Sequence, residues 1–456
     1  MIITSRIPIL GILSLSLLLV FESCKTPKTD IFQVGFASSD ITPSDGKIYD
    51  PLLAKALVLK QGNITGAIVV CDIMDIEYEA VVKARSIISS KTDIPAENIS
   101  ISCTHNHAGG DCENISERIA QSVIDARKVL IPVIISSGKT IQQGISFNRR
   151  FLMVDGTVRM NPGFDSVTKT SFENGWPYLN KEIIRPVAPI DTDLPVIFFK
   201  STADNHPVGS FTCFALHVCV FGHGYSSDFP GFLARELSKY YGDAFFSIFG
   251  EGTCGDINHW DVKRSGEGQN GPARSEQIGK DMALNIIKAV PDLSQGSPEF
   301  QIITRVLKIP VQPVTVMDVE WAKSAIADNF KDFRSVDFDK RGFLAGVRAQ
   351  KIMRIVRLSD KKTKTFPIEI KVFKIDNQTA IVTLPGEIFV EHGLAIKANS
   401  PFKNTLIITE ANADCDYIPT LKAYGEGGYE VVSSFLVPGA GEMMVEAAGE
   451  MLKELR

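Results

Sequence analysis

Cysteine is sparse and badly spaced for crosslinking. The 456-residue sequence holds eight cysteines with no Cys-x-x-Cys pair; setting Cys24 aside, an odd seven remain, at 71, 103, 112, 213, 219, 254 and 415. That is not a disulfide framework. Most of them lie in apolar runs, such as the one ending at Cys71 or Phe211-Thr212-Cys213-Phe214, where a free thiol packs as a small hydrophobe. Basic clusters are also missing. The net charge is -5 and no Lys/Arg run is long enough to track phosphates, which argues against nucleic acid as a partner. Between Ile31 and Arg456 there is no Pro/Ser-rich linker, no low-complexity tract and no internal repeat. Length alone suggests about three units of ~150 residues, yet composition marks no boundary between them.

One apolar run stands apart. Arg6 precedes a Leu-, Ile- and Val-rich stretch from Pro8 to Phe21, shorter than the ~20 residues that span a bilayer as a permanent helix. It reads as a signal peptide. The run ends at Ser23-Cys24, before the polar stretch starting at Lys25, and resembles a bacterial lipobox. Phe21 and Glu22 replace the usual small or aliphatic residues, so plain secretion with nearby cleavage is the alternative. The expected organisation is a lipoprotein signal peptide over 1–24 with Cys24 lipidated, a tether over 25–30, and a domain over 31–456. The protein is then an exported lipoprotein, facing the periplasm or the cell surface and held to the membrane through Cys24.

From Ile31 onwards, short β-branched runs alternate with amphipathic helices. Ala54–Lys60 and Gly66–Asp72 read as a hairpin about Gln61-Gly62-Asn63, then a helix over Tyr78–Ser90 and a strand over Ile99–Cys103. The layout recurs. Val196–Phe199 pairs with Val208–Phe214, a helix covers Phe232–Tyr241, and a strand covers Ala244–Phe249. Later, Ile368–Lys374 and Thr379–Leu384 form a hairpin, followed by a helix over Glu387–Asn399. This predicts an α/β fold with mixed sheets flanked by helices. Trp321–Leu358 reads as a solvated helical pair, and Asp261–Pro272 as either a rim or an ordinary surface loop.

The reactive side chains cluster where strands end. Thr104-His105-Asn106-His107 follows a buried strand, and ligands of α/β sheets bind beyond the carboxyl ends of strands. His-x-His alone fits a metal site or structural histidines equally well. Catalytic zinc takes three or so protein ligands and keeps one position open, so further ligands must come from elsewhere. His217 ends a second apolar strand in the same layout; a lone histidine there is usually structural, and the repeated layout adds weight to a site. Glu387, in Leu384-Pro385-Gly386-Glu387, is expected at a first helical turn, either presented to a site or simply favouring the helix dipole. The glycines of Gly250-Glu251-Gly252-Thr253-Cys254-Gly255-Asp256 permit a close backbone approach.

Taken in order, these segments resemble the neutral/alkaline (non-lysosomal) ceramidase family. The similarity runs from Asp40-Ile41-Thr42-Pro43 through Thr104–His107, Asn148-Arg149-Arg150, Ala215-Leu216-His217 and Asp228-Phe229-Pro230-Gly231. It continues through Gly255–Asn258, Pro385-Gly386-Glu387 and Asp416–Thr420 to Gly428-Tyr429-Glu430, covering nearly the whole chain after the signal. The resemblance implies one zinc per chain, with His105, His217, Glu387 and Tyr417 as metal ligands. It further implies that His107, Arg149 and Tyr429 line the reacting centre. A tyrosine ligand is uncommon, because a phenolate with a free pKa of about 10 needs the cation beside it. A structural ion pair is the other reading of Arg149. Asp72 and Asp256 are candidates for orienting ligands from behind.

The implied chemistry is cleavage of an N-acyl (amide) bond by zinc-activated water, with His107 as proton shuttle. The sequence departs from the family after His107, where Ala108-Gly109-Gly110-Asp111 stands in place of a longer insertion, and at the end, where the family's C-terminal β-sandwich does not follow Arg456. A lipid or small-molecule N-acyl substrate is expected. A zinc esterase, a hydrolase of glycans or other non-lipid compounds, and a non-catalytic binding lipoprotein are the alternatives. Lipidation is directly testable: the wild type should incorporate a fatty-acid analogue and sediment with membranes, and Cys24→Ser should be released or left unprocessed. Absence of label on the wild type would remove the anchor.

Overall fold

In the computed structural model, which describes residues 30–162, 182–264, 266–329, 343–360 and 364–456, the β-branched runs build two large sheets. The larger sheet orders its main strands Phe246–Glu251, Pro207–Phe214, Asp193–Ser201, Ile131–Ile141, Phe32–Asp40, Leu53–Gln61, Ile64–Cys71 and Ile99–Cys103. Its interior pairings are antiparallel and its two outermost pairings are parallel. Each parallel strand returns after a helix, Tyr78–Lys91 on one side and Asp228–Tyr241 on the other. The smaller sheet runs Pro298–Pro310, Thr365–Asp376, Thr379–Thr383 and Asn404–Ile408, again closing with a parallel pair.

The sheets pack face to face. Phe199, Phe211 and Ile248 of the larger meet Phe373, Ile381 and Leu406 of the smaller in one dry cluster. Burying each such side chain contributes roughly 1.5–3 kcal/mol. Helices cover the outer faces: Tyr78–Lys91 and Ile115–Lys128 over one end of the larger sheet, Asp228–Tyr241 and Pro272–Ala289 over the other, and Val390–Asn399 with Ala440–Glu454 over the smaller. The result is a helix, sheet, sheet, helix stack. Mixed sheets flanked by helices were legible from periodicity, as were both hairpins and the helix over 78–91.

Three readings change. Glu387 is not helical: Glu387–Ile388 is a two-residue strand parallel to Tyr417–Ile418, and the helix begins only at Val390. The helix expected from Phe232 starts at Asp228, because Pro230 fits a first turn where no backbone N–H is needed. The segment expected as a solvated pair forms helices Val316–Asn329 and Phe343–Asp360, which bury Ala322, Ala349 and Ile352 between them. From the second helix Arg354 reaches Asp414 at 2.9 Å and Asp416 at 3.3 Å, so the pair is docked rather than free. Residues 330–342 of that segment, the signal peptide, Cys24 and the tether up to residue 29 lie outside the described residues. Among the described residues no helix is long and apolar enough to cross a membrane.

A polar network ties the outer helix to the smaller sheet. Arg85 of Tyr78–Lys91 gives Glu369 two hydrogen bonds, 2.7 and 3.1 Å, and Asn412 one of 2.7 Å. Lys371, fully buried, reaches Glu369 at 3.1 Å and the carbonyl of Glu97 at 2.7 Å. Burial alone would raise the Glu369 carboxyl, but Arg85 and Lys371 outweigh it and hold it below the ordinary glutamate value. Breaking a buried pair costs about 3–5 kcal/mol, so Arg85→Ala should shift the urea midpoint strongly downwards at pH 7. A depressed carboxylate pKa stabilises the fold above the unfolded value of about 4.3 and ceases to do so as pH falls through the folded one. The gap between wild type and Arg85→Ala should therefore narrow on acidification below about pH 4; a gap constant from pH 7 to pH 3 would refute the assignment.

Candidate metal centre

The strands Ile99–Cys103, Pro207–Phe214, Phe246–Glu251, Thr379–Thr383 and Asn404–Ile408 all bring their carboxyl ends to one place. Cys103 N–H donates to Glu410 O (3.1 Å), Thr409 N–H to Glu251 O (2.9 Å), and Leu384 N–H to Ile408 O (2.9 Å). Gly252 N–H donates to Phe214 O (2.8 Å) and His107 N–H to Val218 O (2.9 Å). Side chains that leave these strand ends therefore converge. Two glycines make the closeness possible: a Cβ on Gly255 would strike the Glu387 carbonyl, and Gly386, at φ +82°, turns the chain against Cys415.

His105 and His217 present their Nε2 atoms to the same oxygen, Glu387 Oε2, at 3.5 and 3.2 Å. Their rings lie 4.7 Å apart, centre to centre. Oε2 is buried and accepts no hydrogen bond, so the imidazole N–H vectors are not what brings these atoms together. Lone pairs aimed at a shared cation would do so: ligands about 2.0–2.1 Å from a tetrahedral zinc stand ~3.3 Å from one another. Pairing of Glu387–Ile388 with Tyr417–Ile418 sets Glu387 directly opposite Tyr417. Burial pushes the Tyr417 hydroxyl well above the ordinary tyrosine value, and the Glu387 carboxylate adds to the rise while Arg149 opposes it. The donor set of two imidazoles, one carboxylate and one phenol fits zinc. A nitrogen of His107 also lies within 4.8 Å of nitrogens of His105 and His217.

Around this core sit three further groups. Arg149, buried, anchors its Nε to Glu430 Oε1 at 2.8 Å and places Nη1 3.5 Å from His217 Nε2. Its Nη2 has no hydrogen-bond partner. Tyr429 stacks edge-on against Tyr417, ring centres 5.3 Å apart, and their hydroxyls interact. Burial, Arg149 and His105 hold His217 neutral, its pKa well below the ordinary value. His107 reaches solvent at its edge, but the dense protein around it and the neighbouring imidazoles likewise disfavour its charged form.

The whole architecture has solved counterparts. A ceramidase in complex with C2 superposes with a TM-score of 0.67 and 17% identity, over 94% of this chain and 75% of that chain. The neutral ceramidase from Pseudomonas aeruginosa gives 0.66 and 17%, over 93% and 74%. The fold is that of the neutral ceramidases. No family model and no curated protein sequence matches the chain, so the kinship is one of backbone.

Within this ceramidase fold, all seven residues singled out in the sequence, His105, His107, Arg149, His217, Glu387, Tyr417 and Tyr429, meet in one cluster. The ion-pair reading of Arg149 is met by Glu430, and the same pair holds the guanidinium beside His217. Asp72 departs from expectation: its carboxylate pairs with Lys55 (3.3 Å) and only its carbonyl, accepting from Asn106 Nδ2 (3.1 Å), braces the histidine loop. Asp256 touches none of the four candidate ligands directly but ties their neighbours together, taking Val390 N–H and Asn148 Nδ2 on its carboxylate and Arg149 N–H on its carbonyl. Sequence reasoning missed Glu251, Glu410 and the role of Glu430. Glu430 sat unused inside a quoted motif; Glu410 follows an apolar strand, as His105 does, and that layout was the available signal. His217→Ala should reduce bound zinc from about one per chain to a small fraction, with the fold retained by circular dichroism, because it removes one of only two imidazole donors and leaves a single nitrogen ligand beside a carboxylate and a phenol. Stoichiometric zinc in that variant, read by elemental analysis, would remove His217 from the site.

Proposed function

We propose that the protein is a zinc-dependent amidohydrolase that cleaves an N-acyl bond. The observation that carries this reading is the buried Glu387 oxygen shared by two imidazole Nε2 atoms, beside a tyrosine and an arginine with a buried donor to spare. His105, His217, Glu387 and Tyr417 would hold the metal. Zinc held there would lower the pKa of a water to about 7 and polarise a carbonyl.

The chain's own groups supply the rest. Arg149 Nη2, fixed in place by the ion pair at Nε, can donate to the oxygen that gains charge when the carbonyl is attacked. Tyr429, packed edge-on against Tyr417 with ring centres 5.3 Å apart, would be a second donor to that oxygen. His107, neutral and open to solvent, is placed to take a proton from the attacking water and return it to the leaving nitrogen. Lipidation at Cys24 would keep this centre at the cell envelope, within reach of membrane-derived or periplasmic N-acyl compounds.

The surroundings argue for a modest substrate. A cavity of about 560 Å³ beside Tyr429 is walled by Ile326, Val347 and Met353 but also by Lys351, Arg354 and Arg357. On the histidine side a second cavity of about 490 Å³ mixes Ile73 and Met74 with Asp75 and Glu77. Burying an acyl chain yields about 0.8 kcal/mol per methylene only against apolar walls. Hydrolysis should therefore rise weakly with acyl length and favour short N-acyl compounds over long-chain ceramide, with N-acyl compounds turned over faster than matched O-acyl ones. The assay is a chain-length series with zinc-saturated protein. A steep rise towards long-chain ceramide would refute the short-chain preference, and failure to cleave any amide with zinc bound would refute the reading itself.

A further inference from the structure

Behind the metal-facing edge of His105 lie two carboxyl groups that the reading above does not use. Glu251 ends the strand Phe246–Glu251 and Glu410 follows the strand Asn404–Ile408; they are 1% and 3% exposed. A nitrogen of His105 and one carboxylate oxygen from each lie within 4.8 Å of one another. Both oxygens of Glu251 and Oε1 of Glu410 are buried without a hydrogen-bond partner, and so is His105 Nδ1. Burying unpaired groups in this way costs about 1–3 kcal/mol each, so their gathering at one spot calls for a role.

The two ligand histidines differ in how their second nitrogen is served. His217 has its Nδ1 3.0 Å from the carbonyl of Cys254, the kind of contact that fixes tautomer and ring orientation in a metal ligand. His105 has Nε2 towards Glu387 and no such partner for Nδ1. Glu251 is shared with the His217 and Cys254 side. Glu410 belongs to His105: its carbonyl accepts from Cys103 N–H at 3.1 Å, and Asn412 N–H returns a bond to Ile101 O at 2.7 Å, so the two segments move as a unit. Both residues are also held at φ +52°, a left-handed conformation that non-glycine side chains rarely adopt and that persists only when surrounding structure enforces it.

We propose that Glu410 is the positioning residue for His105, accepting the Nδ1–H of the metal-ligating imidazole directly after a rotation of its carboxyl or through one bridging water. The inference rests on the metal-centre reading and extends it to a residue whose carboxylate touches neither metal nor substrate. In this role Glu410 fixes the tautomer that leaves the Nε2 lone pair for the metal, and it keeps the ring from turning. A purely structural Glu410 would instead affect the stability of the metal-free chain and leave the centre alone.

Zinc affinity of the full chain, measured by competition with a chromophoric chelator, separates these roles, together with the visible spectrum of the cobalt-substituted protein. Loss of such an outer partner typically costs ~10–100-fold in metal affinity. Glu410→Ala should show a loss of that order and a shifted cobalt spectrum. Glu410→Gln keeps the shape and an accepting oxygen, so it should fold normally and recover most of the affinity. If Glu410→Ala does not fold, the glutamine variant decides: an affinity between wild type and a tenfold loss, with a displaced cobalt band, supports the role, and an unchanged affinity and spectrum overturns it. Wild-type zinc affinity in a folded Glu410→Ala also overturns it while leaving the metal-centre reading intact. A wild type that takes up no zinc overturns both.

Discussion

Residues 409–412 lie along the end of the strand Ile99–Cys103 and stitch the two sheets together where their carboxyl ends meet. Asn412 is the centre of the stitch. Its N–H donates to Ile101 O at 2.7 Å, and its Oδ1 accepts from Ile101 N–H (3.0 Å) and from Arg85 (2.7 Å). Thr409 N–H binds the Glu251 carbonyl on the other side. The stitch thus spans both parallel edges of the larger sheet and the last strand of the smaller one. His105 and Glu410 lie next to it, and the Glu387–Tyr417 pairing follows within a few residues on the smaller-sheet side. The spacing of the candidate ligands is therefore set by backbone hydrogen bonds, which are stiffer than side-chain packing.

Electrostatics explains why so polar a cluster can sit so deep. Burial, the neighbouring carboxylate of Glu387 and mutual repulsion push Glu251 and Glu410 well above the ordinary glutamate range. Burial and Asp414 lift Asp75 to about 6, while His105 draws it down. Arg149 is held charged by Tyr417 and Glu430 against the cost of burial. A divalent cation at the Glu387 oxygen would offset much of this acidic excess, since a bound metal is usually the largest local charge in its site. The arrangement makes physical sense as a metal-loaded centre, and the protein meets the remaining cost with Arg149–Glu430 and Arg354–Asp414 on its flank.

The walls differ from the floor. The floor consists of strand ends fixed by two sheets, whereas one wall is the helix pair Val316–Asn329 and Phe343–Asp360, joined to each other around Ala349 and docked on the smaller-sheet core through Ile355 and the ion pairs of Arg354. Such a wall can change composition without disturbing the ligands. A shared floor with different walls is how one backbone can serve different substrates.

The sequence by itself determined the alternation of strands and helices and both hairpins, because apolar periodicity is a local signal; the seven candidate residues of the centre came from the ordered resemblance to the ceramidase family, and of these only His105, His107 and His217 were also marked by their place just past apolar strands. It also separated buried thiols from a disulfide framework: Cys71, Cys103, Cys213, Cys254 and Cys415 are free and buried. Tertiary structure alone decided the rest. Glu387 looked helical because a glutamate after Pro-Gly suits a first turn; its pairing with Tyr417, 30 positions away in the chain, is a long-range contact that no local pattern encodes. The same holds for Glu410 and Glu251, ordinary acidic residues in the sequence, whose meaning comes only from ending beside His105. A carboxylate's burial and partners are properties of the packed chain, and three strand ends from two sheets had to meet before those residues became part of a site.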